Sequence, residues 1–207
     1  MSTRRRLVLA TRLAGGALLL LSIGACQAKR VTRIEPSAVT DLSGRWNDTD
    51  SRLVANELVV QTLADGWARR YTDQHGGEAP TVIVGDFTNR TLEHIALGTF
   101  VKDIEKALIT TGAARVVASR DERRELREER KDQQQYSRAD TRARAGQEVG
   151  ARYALTGGVQ AIDDVDGRER VVFYQVDATI VDLETNAKVW VGQHKIKKYV
   201  ERARFGF

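Results

Sequence analysis

Val171-Val172-Phe173-Tyr174-Gln175-Val176-Asp177-Ala178-Thr179-Ile180-Val181-Asp182 alternates in the manner of a half-buried β-strand. Turn-forming residues bound it on both sides. Asp163-Asp164-Val165-Asp166-Gly167 precedes it and Leu183-Glu184-Thr185-Asn186-Ala187 follows it. Beyond the first turn, Tyr153-Ala154-Leu155-Thr156-Gly157-Gly158-Val159-Gln160-Ala161-Ile162 reads as a strand. Beyond the second, residues 188–200 make another, with Trp190 expected in the core. Three strands joined by two short turns predict an antiparallel meander.

Upstream the pattern changes. Thr81-Val82-Ile83-Val84-Gly85-Asp86-Phe87 is a short apolar run suited to a central strand. A polar loop, Thr88-Asn89-Arg90-Thr91-Leu92-Glu93-His94, follows it. Phe100, Ile104, Ala107 and Leu108 then share one helical face over 97–111, and Gly112 suits the helix end. Residues 115–118 predict a short strand. Residues 121–135 predict a solvated helix rich in opposite charges at three- and four-residue spacing, and 140–149 a further helix. Before all of these, 48–71 predicts a helix capped by Asp48 or Asp50, with Leu53, Val60, Leu63 and Trp67 on its inner face. The sum is an α/β fold: a mixed β-sheet with flanking helices on at least one face.

The N-terminus carries a different signal. Arg4, Arg5 and Arg6 precede an uncharged run from Leu13 to Ile23, too short for the roughly 20 apolar residues a membrane span needs. The run closes on Leu21-Ser22-Ile23-Gly24-Ala25-Cys26, which holds the chain's single cysteine and resembles a bacterial lipobox. That resemblance implies cleavage before Cys26 and lipid attachment to its thiol, with Gln27 directing the product to the outer membrane. Each buried methylene of such a lipid contributes about 0.8 kcal/mol of membrane affinity. The expected organisation is a signal peptide over 1–25, a short polar lipidated tether over 26–47 and a periplasmic domain over 48–207.

Charge disfavours one class of function. The chain has 33 Lys+Arg against 28 Asp+Glu, a net of +5. Four of those arginines, including Arg12, lie in the leader, which has no acidic residue. Without them 29 basic residues face 28 acidic ones, a net of +1. Export and near-neutrality together argue against nucleic acid. Catalysis finds little support either: Ser43, Ser51, Ser119 and Ser137 lie in no nucleophile motif, and His75, His94 and His194 share no metal-ligand spacing. Asp163, Asp164 and Asp166 before Gly167 lack the fuller ligand series of a calcium loop, so a hairpin turn is expected there.

The residues singled out for partner contact are Asn89, Arg90, Glu93 and His94, because polar loops at a sheet end often carry function. Asn89 and Thr91 equally suit turn satisfaction and helix capping. Trp46 is expected to anchor the tether by burying its ring. The arginines of the charged helix either stay solvated or meet an acidic partner or glycan.

Three stretches together resemble the LpoB family of outer-membrane lipoproteins, activators of bifunctional penicillin-binding proteins. They are Asp86-Phe87-Thr88-Asn89-Arg90-Thr91, Val149-Gly150-Ala151-Arg152-Tyr153-Ala154-Leu155-Thr156-Gly157 and Val181-Asp182-Leu183-Glu184-Thr185-Asn186-Ala187-Lys188-Val189-Trp190. The resemblance covers about 81–197 and the N-terminus. It implies a fold like the N-terminal domain of TolB, and a non-enzymatic regulator of peptidoglycan biosynthesis and cell shape. It further implies docking on a class A penicillin-binding protein, with no cofactor beyond the covalent (palmitate-type) lipid on Cys26, no metal and no small-molecule substrate. The tether is shorter than in well-known members and lacks their proline richness. The alternative is an envelope-assembly or secretion lipoprotein of the same fold with a different protein partner.

Overall fold

The computed structural model describes residues 31–144, 146 and 148–201. The expected signal peptide and Cys26 lie outside the described residues. Residues 31–38 belong to an N-terminal unit and contain one turn, closed by the Ala38 N–H donating to the Glu35 carbonyl at 3.0 Å. A second compact unit begins at Val39. The last part of the segment expected as tether therefore belongs to the fold.

Among the described residues, nine elements build this unit: α1 (Asp48–Asp65), α2 (Trp67–Gln74), β1 (Thr81–Asn89), α3 (Leu97–Thr111), β2 (Arg115–Val117), α4 (Arg120–Tyr136), β3 (Tyr153–Asp166), β4 (Glu169–Asp182) and β5 (Lys188–Glu201). The five strands form one mixed sheet in the order β2-β1-β3-β4-β5. β1 runs parallel to both β2 and β3, and β3, β4 and β5 form the antiparallel meander.

β4 shows why the alternating stretch decides the fold. Val172, Tyr174, Val176, Ala178, Ile180 and Asp182 are buried, while the residues between them are half-exposed. The buried set apart from Asp182 meets Val54, Ala55 and Leu58 of α1, and Phe100, Ile104 and Leu108 of α3, in one core cluster that also takes in Trp190. Gly157 makes part of this packing possible. A Cβ there would strike the Asp177 carbonyl oxygen and the Phe87 ring, so only glycine lets β3 lie this close to both.

Three expectations need correction. The helix over 48–71 is two helices, broken at Gly66 in the left-handed region (φ 76). Its N-cap is Asn47, and Asp50 closes a capping box from the third helical position. Its buried line is Val54, Ala55, Leu58 and Thr62, whereas Leu53 and Val60 are 45% and 60% exposed. Apolar residues surround much of this helix, so periodicity alone selects no face.

The expected helix over 140–149 is absent among its described residues, which form turns and bends. Gly146 is left-handed there (φ 78), and residues 145 and 147 lie outside the described set. Finally, the turn expected over 163–167 is much tighter. The β3–β4 ladder continues to Asp166 opposite Glu169, leaving Gly167 (φ 57) and Arg168 as a two-residue hairpin turn.

Candidate functional site

The loop after β1 is held by its own polar side chains. Asn89 Oδ1 accepts from the Thr91 N–H at 2.9 Å and from the Thr91 hydroxyl at 2.8 Å. Asn89 Nδ2 donates to the Glu93 carbonyl at 2.7 Å, and the Glu93 N–H donates to Thr91 Oγ1 at 3.1 Å. The Arg90 N–H joins the loop to β3 through the Val159 carbonyl at 2.9 Å. This is the turn chemistry that Asn and Thr favour.

Glu93 points into the molecule. Its Oε1 accepts the Tyr174 hydroxyl at 2.8 Å, and its Oε2 accepts the Trp46 N–H at 2.9 Å. The Tyr174 hydroxyl also lies 3.2 Å from the Gly44 carbonyl. Burial first, and the neighbouring Glu93 carboxylate second, push the Tyr174 pKa above the ordinary tyrosine value. The Trp46 ring meets Tyr174 edge-on with centroids 5.4 Å apart, and its indole N–H donates to Ser51 Oγ at 2.7 Å. Trp46 thus anchors the segment before α1 to the core.

A second tie secures the same segment. Lys198 Nζ of β5 donates to Asp41 Oδ1 at 2.8 Å, Asp50 Oδ2 at 2.7 Å and the Arg45 carbonyl at 3.2 Å. Burial disfavours the ammonium, but the two carboxylates outweigh it and hold the Lys198 pKa above the usual lysine value. Gly44 is buried beneath Val200, where a Cβ would sit 2.5 Å from a Val200 methyl.

The four expected contact residues therefore divide. Asn89 and Glu93 are half-buried and serve the loop and the segment over 39–47 before α1, the strap. Arg90 and His94 are exposed, and their side chains have no hydrogen-bond or ion-pair partner among the described residues. Leu92, which carried no sequence signal beyond being apolar in a polar loop, stands fully exposed between them. A groove of about 570 Å³ lies beside the loop, lined by Arg45, Trp46, Leu92, His94, Ala161 and Val172 among others. Arg170 crosses its edge, bonded to Asp163 at 2.7 Å and 3.8 Å from Glu93. That pairing holds the Asp163 pKa below the usual aspartate value and gives this residue a structural role in the hairpin.

Elsewhere α4 has no buried residue. It is secured by a Ser119–Glu122 capping box, by Lys102–Glu122 at 2.8 Å and by Glu148, which bridges Arg127 and Arg130 at 2.8 and 2.6 Å. Among the described residues no group of three or more His, Cys, Asp or Glu is placed to hold a metal ion. No helix among them is long and apolar enough to cross a membrane.

No curated protein matches the chain. Among solved structures it is similar to the C-terminal domain of LpoB from Escherichia coli, with 17% identity, 65% of this chain and 98% of that one covered, and a TM-score of 0.36. It is similar to lipoprotein GNA1162 from Neisseria meningitidis at 17% identity, covering 61% and 88% of the two chains with a TM-score of 0.35. It is also similar to PelC, a dodecamer, from Paraburkholderia phytofirmans at 23% identity, covering 58% and 73% with a TM-score of 0.33. At these scores the solved structures add nothing to the assignment, which rests on the family match. The family described as the peptidoglycan-synthase activator LpoB matches residues 50–196, from the start of α1 into β5. The chain belongs to the LpoB family of peptidoglycan-synthase activators.

Proposed function

We propose that this chain is a lipoprotein anchored in the outer membrane through Cys26, facing the periplasm, that binds a class A penicillin-binding protein and raises its activity. The observation that carries the proposal is the family match over nearly the whole compact unit. The lipobox-like Ile23-Gly24-Ala25-Cys26 supports the anchor, and the pre-organised loop displaying Arg90, Leu92 and His94 supports docking there. The chain performs no chemistry on a substrate. It acts by binding the active synthase state more tightly than the inactive one. Asn89 and Glu93 are positioning residues in this reading, and Arg90 and His94 touch the partner.

The distance from anchor to fold limits the encounter. Residues 26–38 precede the compact unit and span at most about 45 Å when fully extended, at roughly 3.3–3.6 Å per residue. The synthase must therefore reach toward the outer membrane.

The test is capture of envelope proteins by crosslinking to the mature lipoprotein, followed by glycan polymerisation assays with the captured synthase. A class A penicillin-binding protein whose rate rises several-fold, and no longer does with Arg90→Ala/His94→Ala, meets the expectation. Capture of outer-membrane or secretion proteins alone, without stimulation of any synthase from the same organism, moves the function to envelope assembly.

A further inference from the structure

β5 is the last strand of the sheet, and its ladder phase follows from the hairpin before it. Asp166 and Glu169 close a two-residue turn, so they form a hydrogen-bonded pair. Alternate residues of β4 from Glu169 onward therefore bond to β3, and those between bond to β5. In the β4–β5 register Val176 faces His194, Tyr174 faces Ile196 and Val172 faces Lys198. His194, Ile196 and Lys198 thus spend their main-chain groups on β4. Gln193, Lys195, Lys197, Tyr199 and Glu201 turn theirs toward the free edge.

One of these positions is already occupied, and in a telling way. The Gln61 side chain of α1 accepts from the Gln193 N–H at 3.1 Å and donates to the Gln193 carbonyl at 3.0 Å. This is the two-bond exchange that an antiparallel neighbour would make. A side-chain amide thus stands in for one residue of a further strand. Beyond Gln193, no residue from Lys195 to Glu201 has a strand neighbour on the outer side among the described residues.

We propose that the edge of β5 from Lys195 to Glu201 receives an extended, acidic segment of a partner protein as a sixth strand. Main-chain bonds supply affinity in such strand addition and alternate side chains supply selectivity. Lys195 and Lys197 are exposed and have no hydrogen-bond or ion-pair partner among the described residues, whereas Lys198 is spent on Asp41 and Asp50. Edge lysines repel a second copy of the same edge, and the same charges attract a strand carrying carboxylates at alternate positions. The intervening side chains would face the flank of α1, where exposed Leu53 and Val60 lie one helical turn to either side of Glu57. The fitting segment therefore alternates acidic and apolar residues. This surface is separate from the Asn89–His94 loop and does not require the partner to be a synthase.

The probe is the peptide acetyl-(Glu-Val)4-amide, added to the mature full-length lipoprotein in detergent, with amide hydrogen exchange read residue by residue. The expected result is protection rising at least tenfold at Lys195, Lys197 and Tyr199, with no change at His194, Ile196 and Lys198. Proline is tolerated on an edge strand where the N–H faces outward, so Lys197→Pro abolishes the pattern while the thermal transition stays cooperative. Should that variant not fold, Lys195→Glu/Lys197→Glu keeps the main chain, loses the acidic probe at least tenfold and gains acetyl-(Lys-Val)4-amide. Absence of protection at millimolar peptide, uniform protection, or binding unaltered by charge reversal overturns the proposal. So does a peptide-free dimer showing the same alternate protection, which would assign the edge to a second copy of this chain.

Discussion

Tyr174 and Glu93 meet through a 2.8 Å hydrogen bond beneath the segment that precedes α1. Tyr174 lies on the buried face of β4 and Glu93 at the end of the loop after β1, so this bond joins core, loop and strap. A hydrogen bond to a charged group contributes about 1.5–3 kcal/mol, and a buried group left unpaired costs about as much. Tyr174→Phe is expected to lower unfolding stability by about 2 kcal/mol in urea titration. Glu93→Ala is expected to cost as much and to shift Trp46 fluorescence to the red as the strap loosens. The sign of the pH dependence follows from the raised Tyr174 pKa. The folded state holds its proton more tightly, so this contribution is complete below pH 10, the ordinary tyrosine value, and is lost as pH rises above it. Tyr174→Phe should flatten that alkaline loss.

Lys198 is the other tie on the strap. Its side chain is 11% exposed and that of Asp50 4%, so the charges depend on each other. Breaking a buried pair from one side leaves an uncompensated charge and costs about 3–5 kcal/mol. Lys198→Met should show this loss in thermal unfolding. Adding Asp50→Asn should recover part of it, and failure to recover would mean that the ammonium acts through its bond to the Arg45 carbonyl instead.

Gly157 is expected to be intolerant of the smallest substitution. Gly157→Ala places a methyl against the Asp177 carbonyl and the Phe87 ring. Overpacking of this kind costs about 1–3 kcal/mol. Gly77→Ala is an instructive contrast. Its Cβ would meet nothing within 4 Å, so any loss there reports the left-handed backbone (φ 91) alone. Differential scanning calorimetry on the two variants separates crowding from backbone strain.

Acid should release α4 before the rest of the fold. The Lys102 ammonium first, and the Ser119 backbone and hydroxyl after it, lower the Glu122 pKa from 4.5 to about 2. Arg127 and Arg130 lower Glu148 likewise to about 2. Groups with depressed folded values stabilise above their unfolded pKa and lose that contribution as pH falls toward the folded value. Amide protection over 120–136, relative to the intrinsic exchange rate at each pH, should therefore fall between about pH 4.5 and 2, while β4 amides stay protected. Ser119→Ala, which removes an N-cap, should cost about 1 kcal/mol and move the loss to higher pH.

Much of the architecture is legible along the chain. The meander is visible because β4 is buried on one face and exposed on the other, so its period of two survives in the sequence. α3 is visible for the related reason that Phe100, Ile104 and Leu108 fall on one helical stripe ended by Gly112. α1 is not, because Val54, Ala55 and Leu58 compete with Leu53 and Val60 for the inner face. Only the position of the helix beside β5, where Gln61 and Asp50 find Gln193 and Lys198, settles which set is buried. The residues over 140–149 mislead for a different reason. They carry helix-compatible composition, but the described ones among them bury no apolar side chain, and Glu148 is drawn to Arg127 and Arg130.

The candidate site follows the same division. Asn89, Arg90, Glu93 and His94 are recognisable as a polar loop between a strand and a helix, and local turn chemistry explains Asn89 without any tertiary contact. Glu93 cannot be placed that way, since its partners Tyr174 and Trp46 lie far away along the chain. By itself the sequence determined the elements whose hydrophobic period is unambiguous, and the family. Only the tertiary structure decided which loop residues serve the fold, that the strap belongs to the domain, and that β5 has an open edge among the described residues. Periodicity and turn chemistry act between near neighbours in the chain. Burial, ion pairing and strand pairing act between residues that only folding brings together.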